Sequence, residues 1–138
     1  MAIFESAEQF KDVELGFLEK LAGDPSFGPK FAAMKMNLKY NIKDINQEVW
    51  LIHHDGTRVE VIWGPTNAEP TVELTLSTDH FHKFWAKQMS VAGALASGDV
   101  AVKGPIPKIL KLVSMLKPAF DLYSGYITNK GLAKLESA

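Results

Sequence analysis

The chain reads as an α+β domain, a five-stranded, mostly antiparallel sheet with helices packed on one face. Three observations carry this. Apolar residues recur every 3.6 positions from Ser6 to Leu21, every second position from Met36 to Leu76, and every 3.6 positions again beyond Ser77. The breaks between these stretches hold turn formers: Gly23-Asp24-Pro25, Asp55-Gly56 and Gly64-Pro65. The composition is 46% hydrophobic and 22% charged over 138 residues, which suits one ordinary domain with a real core.

The elements follow in order. Ser6 and Gln9 form a capping-box pattern, and Phe10, Val13, Phe17 and Leu21 then share one helical face. Gly23, Asp24 and Pro25 end that helix. Pro25 to Met34 is a linker or short helix that presents Phe27, Phe31 and Met34. Met36, Leu38, Tyr40 and Ile42 alternate with polar residues as a half-buried strand. Glu48 to His54 and Thr57 to Trp63 are the next two strands, joined at Asp55-Gly56, a two-residue hairpin signal. Thr71 to Leu76 is the fourth, with Val72, Leu74 and Leu76 on one side. Ser77, Thr78 and Asp79 are good caps for a helix whose stripe is Phe81, Phe84 and Trp85. Ser90 to Ala96 is a helix of small residues, and Asp99 to Lys103 a fifth strand.

Pro105 opens the next helix, where a missing N–H is harmless. Ile106, Ile109, Leu110, Leu112, Val113, Leu116 and Phe120 span about 160° of its circumference, an unusually broad apolar arc. Pro118 kinks or divides it. The tail from Asp121 to Ala138 carries a last helical pattern through Tyr123, Ile127, Leu132 and Leu135, weakened by Gly125 and Gly131. We take the chain as one domain over 1–138, with its core at about 8–120 and a C-terminal extension over 121–138.

Several function classes drop out. The net charge of −1 gives no general attraction to nucleic acid, and Arg58 is the only arginine available for a bidentate phosphate fork. The sequence contains no cysteine, so thiolate chemistry and disulfides are excluded. No apolar run reaches the roughly 18 residues a membrane span needs, and no stable membrane insertion is expected. The acidic N-terminus does not resemble a signal peptide, and a cytoplasmic protein is the expectation. His53 and His54 point to opposite faces of a strand, and His80 and His82 lie about 200° apart on a helix. Neither pair shares a ligand, so no metal site is expected. There is no G-x-S-x-G elbow, no phosphate-binding glycine loop and no placed carboxylate pair. No catalytic residue and no cofactor is assigned. The three tryptophans and eight phenylalanines fill a core or line a cavity, and composition does not separate the two.

The second half of the chain resembles the sterol carrier protein 2 family of lipid-binding domains. The resemblance rests on Thr71 to Phe81 (TVELTLSTDHF), the small-residue helix, and Ala96 to Leu112 (ASGDVAVKGPIPKILKL), with Gly98, Gly104 and the Lys111-Leu112 pair at family positions. It extends over roughly residues 8–120. It implies an apolar tunnel between sheet and helices that holds a fatty acid, fatty acyl-CoA, sterol-like or isoprenoid molecule without covalent chemistry. Pro105 and Pro107 depart from the family pattern at the start of the helix and put a sterol guest in doubt.

On that basis Phe81, Phe84, Trp85 and Met89 from one helix and Ile109, Leu112, Val113 and Leu116 from the other are candidate lining residues. Trp50, Trp63 and Leu74 are candidates for the floor, with the inward face of the strands left open. Lys108 or Lys111 is placed at the tunnel mouth. The alternative is a non-catalytic interaction module, a homodimer or an accessory of a lipid- or quinone-metabolising enzyme, which would use the same apolar helix for docking.

Overall fold

The computed structural model describes residues 4–129. Five strands form one sheet: β1 (Leu38–Ile42), β2 (Gln47–His54), β3 (Arg58–Trp63), β4 (Val72–Leu76) and β5 (Ala101–Lys103). Their spatial order is β3-β2-β1-β4-β5. The β1–β2, β2–β3 and β4–β5 pairs are antiparallel, while β1 and β4 are parallel. The sheet is therefore mostly antiparallel, as expected, with its one parallel pairing at the centre. That pairing requires the chain after β3 to travel back along the sheet. Asn37 anchors its return: its carbonyl accepts from the Thr71 and Val72 N–H groups, and its side chain donates to the Glu69 carbonyl at 3.2 Å.

Register fixes the faces. Leu38, Tyr40 and Ile42 stand opposite Leu51, Val49 and Gln47 on one side and opposite Val72, Leu74 and Leu76 on the other. Apart from Gln47 at the strand end, these residues make an apolar inner face. Lys39, Asn41, Glu48, Glu60, Glu73 and Lys103 mark the outer face, where Lys39 lies within 4 Å of both Glu48 and Glu73. The β2–β3 turn is one residue longer than the expected two. Asp55 and Gly56 both have positive φ, and Thr57 N–H donates to His54 O at 3.0 Å, but pairing resumes only at His54–Arg58.

The N-terminal helix forms as the period requires, with one interruption. It comprises α1 (Ala7–Phe10), a π-helical turn over Lys11–Leu15, and α2 (Gly16–Ala22). Ser6 Oγ accepts from Gln9 N–H at 3.1 Å, while the Gln9 side chain accepts from Glu5 N–H rather than from the cap's own. Phe10, Val13, Phe17 and Leu21 are all buried, as predicted. The short helix α3 (Gly28–Ala33) stacks Phe27 on Phe31 at 5.7 Å.

After β4, Ser77 caps α4 (Thr78–Trp85) by accepting from His80 N–H. Asp44 adds a second cap through Thr78 N–H and Oγ1, at 2.9 and 2.6 Å. Ser90 caps α5 (Val91–Ser97), and Gly98 ends it at φ 84°, a left-handed conformation that glycine adopts without penalty. Gly104 turns the chain from β5 into α6 (Ile106–Met115) at φ 144°. A Cβ there would stand 2.8 Å from the Thr71 carbonyl oxygen, so the close approach of this corner to β4 depends on glycine.

Pro105 lies one residue outside α6 rather than within it, and its carbonyl accepts from Lys108 and Ile109 N–H. The chain divides at Leu116, and α7 (Lys117–Asn129) follows with Pro118 in its first turn. Tyr123 and Ile127 of α7 are fully buried in the core. The segment over 121–129 is thus part of the packed fold rather than an appended extension. Leu132 and Leu135 lie outside the described residues.

Candidate functional site

The inner face of the sheet is covered unevenly. Over β2 and β3 lie α2 and α3, and the contacts are dense. Over β1, β4 and β5 lie α4, α5 and α6, and here a gap remains. The floor of this cavity is Tyr40 from β1, Val72, Leu74 and Leu76 from β4, and Val102 from β5. Phe81, Phe84 and Trp85 of α4 form one wall, continued by Met89. Ala94 and Leu95 of α5, with Val100, form another. Ile109 and Leu112 of α6 and the following Leu116 close it.

Nearly every lining atom is apolar. Burial pushes the Tyr40 phenol pKa well up, with the Glu14 charge adding to it, so its hydroxyl stays neutral. The indole N–H of Trp85, one of the wall residues, is buried and has no acceptor among the described residues. An unmet buried donor is uncommon and calls for an explanation. The cavity measures about 60 Å³. Ligand pockets typically span about 300–1,000 Å³. A chain-like guest therefore enters only if the walls part.

Of the residues expected from sequence, Phe81, Phe84, Trp85, Met89, Leu74, Ile109, Leu112 and Leu116 come together around this space. The side chain of Val113 lies outside the described residues. Four expectations are corrected. Trp50 pairs with Lys39 and Ile62 on the outer face. There it lies beneath Lys39 Nζ at 5.5 Å and donates its indole N–H to Glu48 at 3.0 Å. Trp63 faces inward but belongs to β3, at the far edge of the sheet, where it packs on Phe10 at 6.1 Å. Lys108 and Lys111 do not line the cavity. At 100° per residue, Lys111 stands about 120° from the buried face of α6, and it is exposed.

The lining residues that sequence reasoning missed are Tyr40, Val72, Leu76, Ala94, Leu95, Val100 and Val102. The strand residues carried a signal, since Val72, Leu74 and Leu76 share a face by period 2. Ala94 and Leu95 carried none, because small residues on a short helix look alike on every side.

At the other end of the helical layer a polar cluster is buried. The π-helical turn carries Glu14 inward to 1% exposure, against Tyr123 of α7 and His82 of α4. Tyr123 Oη donates to Glu14 Oε1 at 2.5 Å, and His82 Nδ1 lies 2.6 Å from Tyr123 Oη. The tyrosine proton is given to the carboxylate, so Nδ1 carries a proton and donates to Oη. Glu14 Oε2 has no hydrogen-bond partner among the described residues. Burial raises the Glu14 pKa, opposed by the hydrogen bonds of His82 and Tyr123. Beside it, Tyr126 donates to Val13 O at 2.8 Å, a carbonyl that also accepts from the Gly16 N–H.

The other histidines are local. His54 pairs with Glu60 at 2.7 Å, and His80 bridges Ser77 at 2.9 Å towards Asp99 at 3.7 Å. Among the described residues no group of three or more His, Asp or Glu is placed to hold a metal ion, and no helix is long and apolar enough to cross a membrane.

Comparison with known proteins agrees with this architecture. No curated protein sequence matches the chain. Among solved structures, sterol carrier protein 2 from Yarrowia lipolytica, in its apo form, is similar with a TM-score of 0.57 at 22% identity. The match covers 86% of this chain and 94% of that one. UbiJ-SCP2, a ubiquinone synthesis protein, is similar with a TM-score of 0.58 at 16% identity, covering 83% and 94%. A double mutant of the sec-alkyl sulfatase PisA1 aligns with a TM-score of 0.60 at 20% identity over 72% of this chain. This chain spans only 15% of the sulfatase's length. At these identities the likeness concerns the fold. The family model described as the SCP-2 sterol transfer family matches residues 17–117, which contain every strand and all of α3 to α6, and the chain therefore belongs to that family.

Proposed function

We propose that this chain binds and carries a lipid-like molecule, without covalent chemistry, in the cavity between β1, β4, β5 and α4, α5, α6. The observation that carries the reading is the lining: apolar side chains from both layers around a space that the core leaves unfilled. An elongated apolar guest gains about 25 cal/mol for each Å² it buries there, before the cost of association. Fatty acids, fatty acyl-CoA, sterol-like and isoprenoid molecules all satisfy this description. Membership of the sterol transfer family supports the class of guest.

A second reading is that the chain presents an isoprenoid quinone precursor to a biosynthetic enzyme. Its support is the likeness to UbiJ-SCP2 over almost the whole of that protein. Both readings share the cavity and differ in its guest.

The test is native mass spectrometry of the purified protein, followed by titration with a fluorescent fatty acid, an acyl-CoA and a short-chain isoprenoid quinone. A co-purifying lipid, or saturable binding of one probe, supports carriage. An empty protein that binds none of them overturns it.

A further inference from the structure

The apolar cavity has a polar neighbour. Between α4 and the start of α5 lies a shallow hollow of about 190 Å³, and Met89 and Ala94 line both spaces. The charged groups of the hollow come from one flank of α4 and from the turn after α5. At about 100° per residue, His80 and Lys83 stand about 60° apart, beside the stripe that Phe81 and Phe84 turn to the cavity. Asp99 is the one carboxylate among the described residues that line the hollow. Its charge is engaged: Oδ2 accepts from Ser97 Oγ at 2.8 Å and lies 3.7 Å from His80 Nε2. His80 Nδ1 is engaged in turn, 2.9 Å from Ser77 Oγ. Lys83 is half-buried and forms no ion pair among the described residues. Lys87, one turn on, borders a second hollow that meets the cavity at Trp85. That lysine is already used: it lies over the Phe120 ring at 5.7 Å and 3.9 Å from Asp121.

We propose that the hollow beside Lys83 takes the anionic head, a carboxylate or a phosphate, of a single-chain amphiphile whose tail lies in the cavity. The placement of the tail rests on the carrier reading. A chain that leaves the cavity past Met89 and Ala94 comes out beside Lys83, so apolar burial and charge pairing act on the two ends of one molecule. A lysine ammonium is a compact charge on a flexible stem, and it meets the oxygens of either head group. Asp99 opposes an anion, and its ties to His80 and Ser97 limit that opposition. An uncharged head leaves the lysine unmatched. The cavity therefore selects for an apolar chain, and the hollow selects for the charge at its end.

The test is isothermal titration calorimetry of the full chain with decanoic acid, decyl phosphate and decanol at about pH 7.5, where the acid is ionised. At least one anionic guest should bind about fivefold or more tighter than the alcohol, with a gap that closes as salt rises to about 0.5 M. A tighter acid assigns the head as a carboxylate, and a tighter phosphate assigns it as a phosphate. Lys83→Gln should bring the anionic guests to the level of the alcohol, with alcohol binding and the melting curve unchanged. Lys83→Arg should keep the preference, and Lys83→Glu should reverse it. If neither anion binds tighter than the alcohol, or if Lys83→Gln keeps the preference, the head site is overturned while carriage stands. If the folded chain binds none of the three, carriage and the head site fall together.

Discussion

The two ends of the helical layer are built from similar materials and finished differently. Over β2 and β3 the space is filled. Phe17 meets Trp85, Tyr123 and Tyr126 at centroid distances of 4.7–5.6 Å, and Phe10 meets Phe4, Trp63 and Phe81 within 6.1 Å. Tyr123, His82 and Glu14 seal this end with a buried hydrogen-bond chain. Over β4 and β5 the same inner face is lined mainly by Val, Leu, Ile and Met, and a gap remains. Interlocked aromatic edges resist separation, whereas aliphatic walls on a three-residue edge strand part more easily. The difference teaches that rigidity and capacity are allotted to separate halves. The packed half leaves no comparable apolar space among the described residues, and the other keeps a cavity of about 60 Å³, with Phe81 and Trp85 shared between them.

The largest effect should follow from opening the packed half. Phe17→Ala leaves a void among rings that cannot close it, and a loss of about 3–5 kcal/mol in urea unfolding is expected. A loss below about 1 kcal/mol would mean that this half is no more rigid than the other. Tyr123→Phe is smaller in volume but removes the hydroxyl that joins Glu14 to His82. Leaving both groups short of a partner should cost about 1–3 kcal/mol, again read from urea unfolding.

Glu14 itself makes stability depend on pH. Its carboxyl is raised by burial above its ordinary 4.5 in the folded chain and is not raised in the unfolded one. As pH climbs from that value towards the folded pKa, the unfolded state has lost a proton that the folded state keeps, so stability falls. Above the folded pKa this contribution is constant. Glu14→Gln removes it. The stability of Glu14→Gln relative to the parent chain should therefore rise as pH climbs above the ordinary 4.5, and a gap that shrinks there would contradict the burial argument.

The smallest effect on stability is expected in the loose half. Ala94→Leu places extra carbon atoms into a space of about 60 Å³. Unfolding free energy should change by less than about 1 kcal/mol, while binding of a fluorescent fatty acid should fall at least about tenfold. Unchanged binding would place the guest elsewhere and dissolve the contrast between the two halves.

Much of this was legible from residue order. The two periods of alternation located the first four strands, the N-terminal helix, α4 and α6, and Ser6 and Ser77 cap where their residue types suggested. Eight of the proposed lining positions meet around the cavity, because the face of α4 and α6 follows from the helical period. Glu14 was passed over although it stands four residues after Phe10, on the edge of the buried stripe. Acids are usually solvated there, and only the π-helical turn together with Tyr123 makes its burial tolerable. Trp50 was misplaced for a different reason. Alternation separates two faces of a strand, but a large aromatic is at home on either when a lysine and a glutamate cover it.

The sequence by itself determined most of the elements, the caps at Ser6 and Ser77, the inward stripes of the N-terminal helix and of α4, and the breadth of the apolar arc on α6. These depend on neighbours within a turn or a strand, where geometry is fixed by the backbone. Tertiary structure alone decided that β4 returns parallel to β1, that Trp63 and Leu74 occupy different ends of one face, and that Ile106 and Leu110 stay outside while Leu112 goes in. Each of these depends on which distant surfaces meet and how much area they share. A hydrophobic residue carries no mark of the partner it will be buried against.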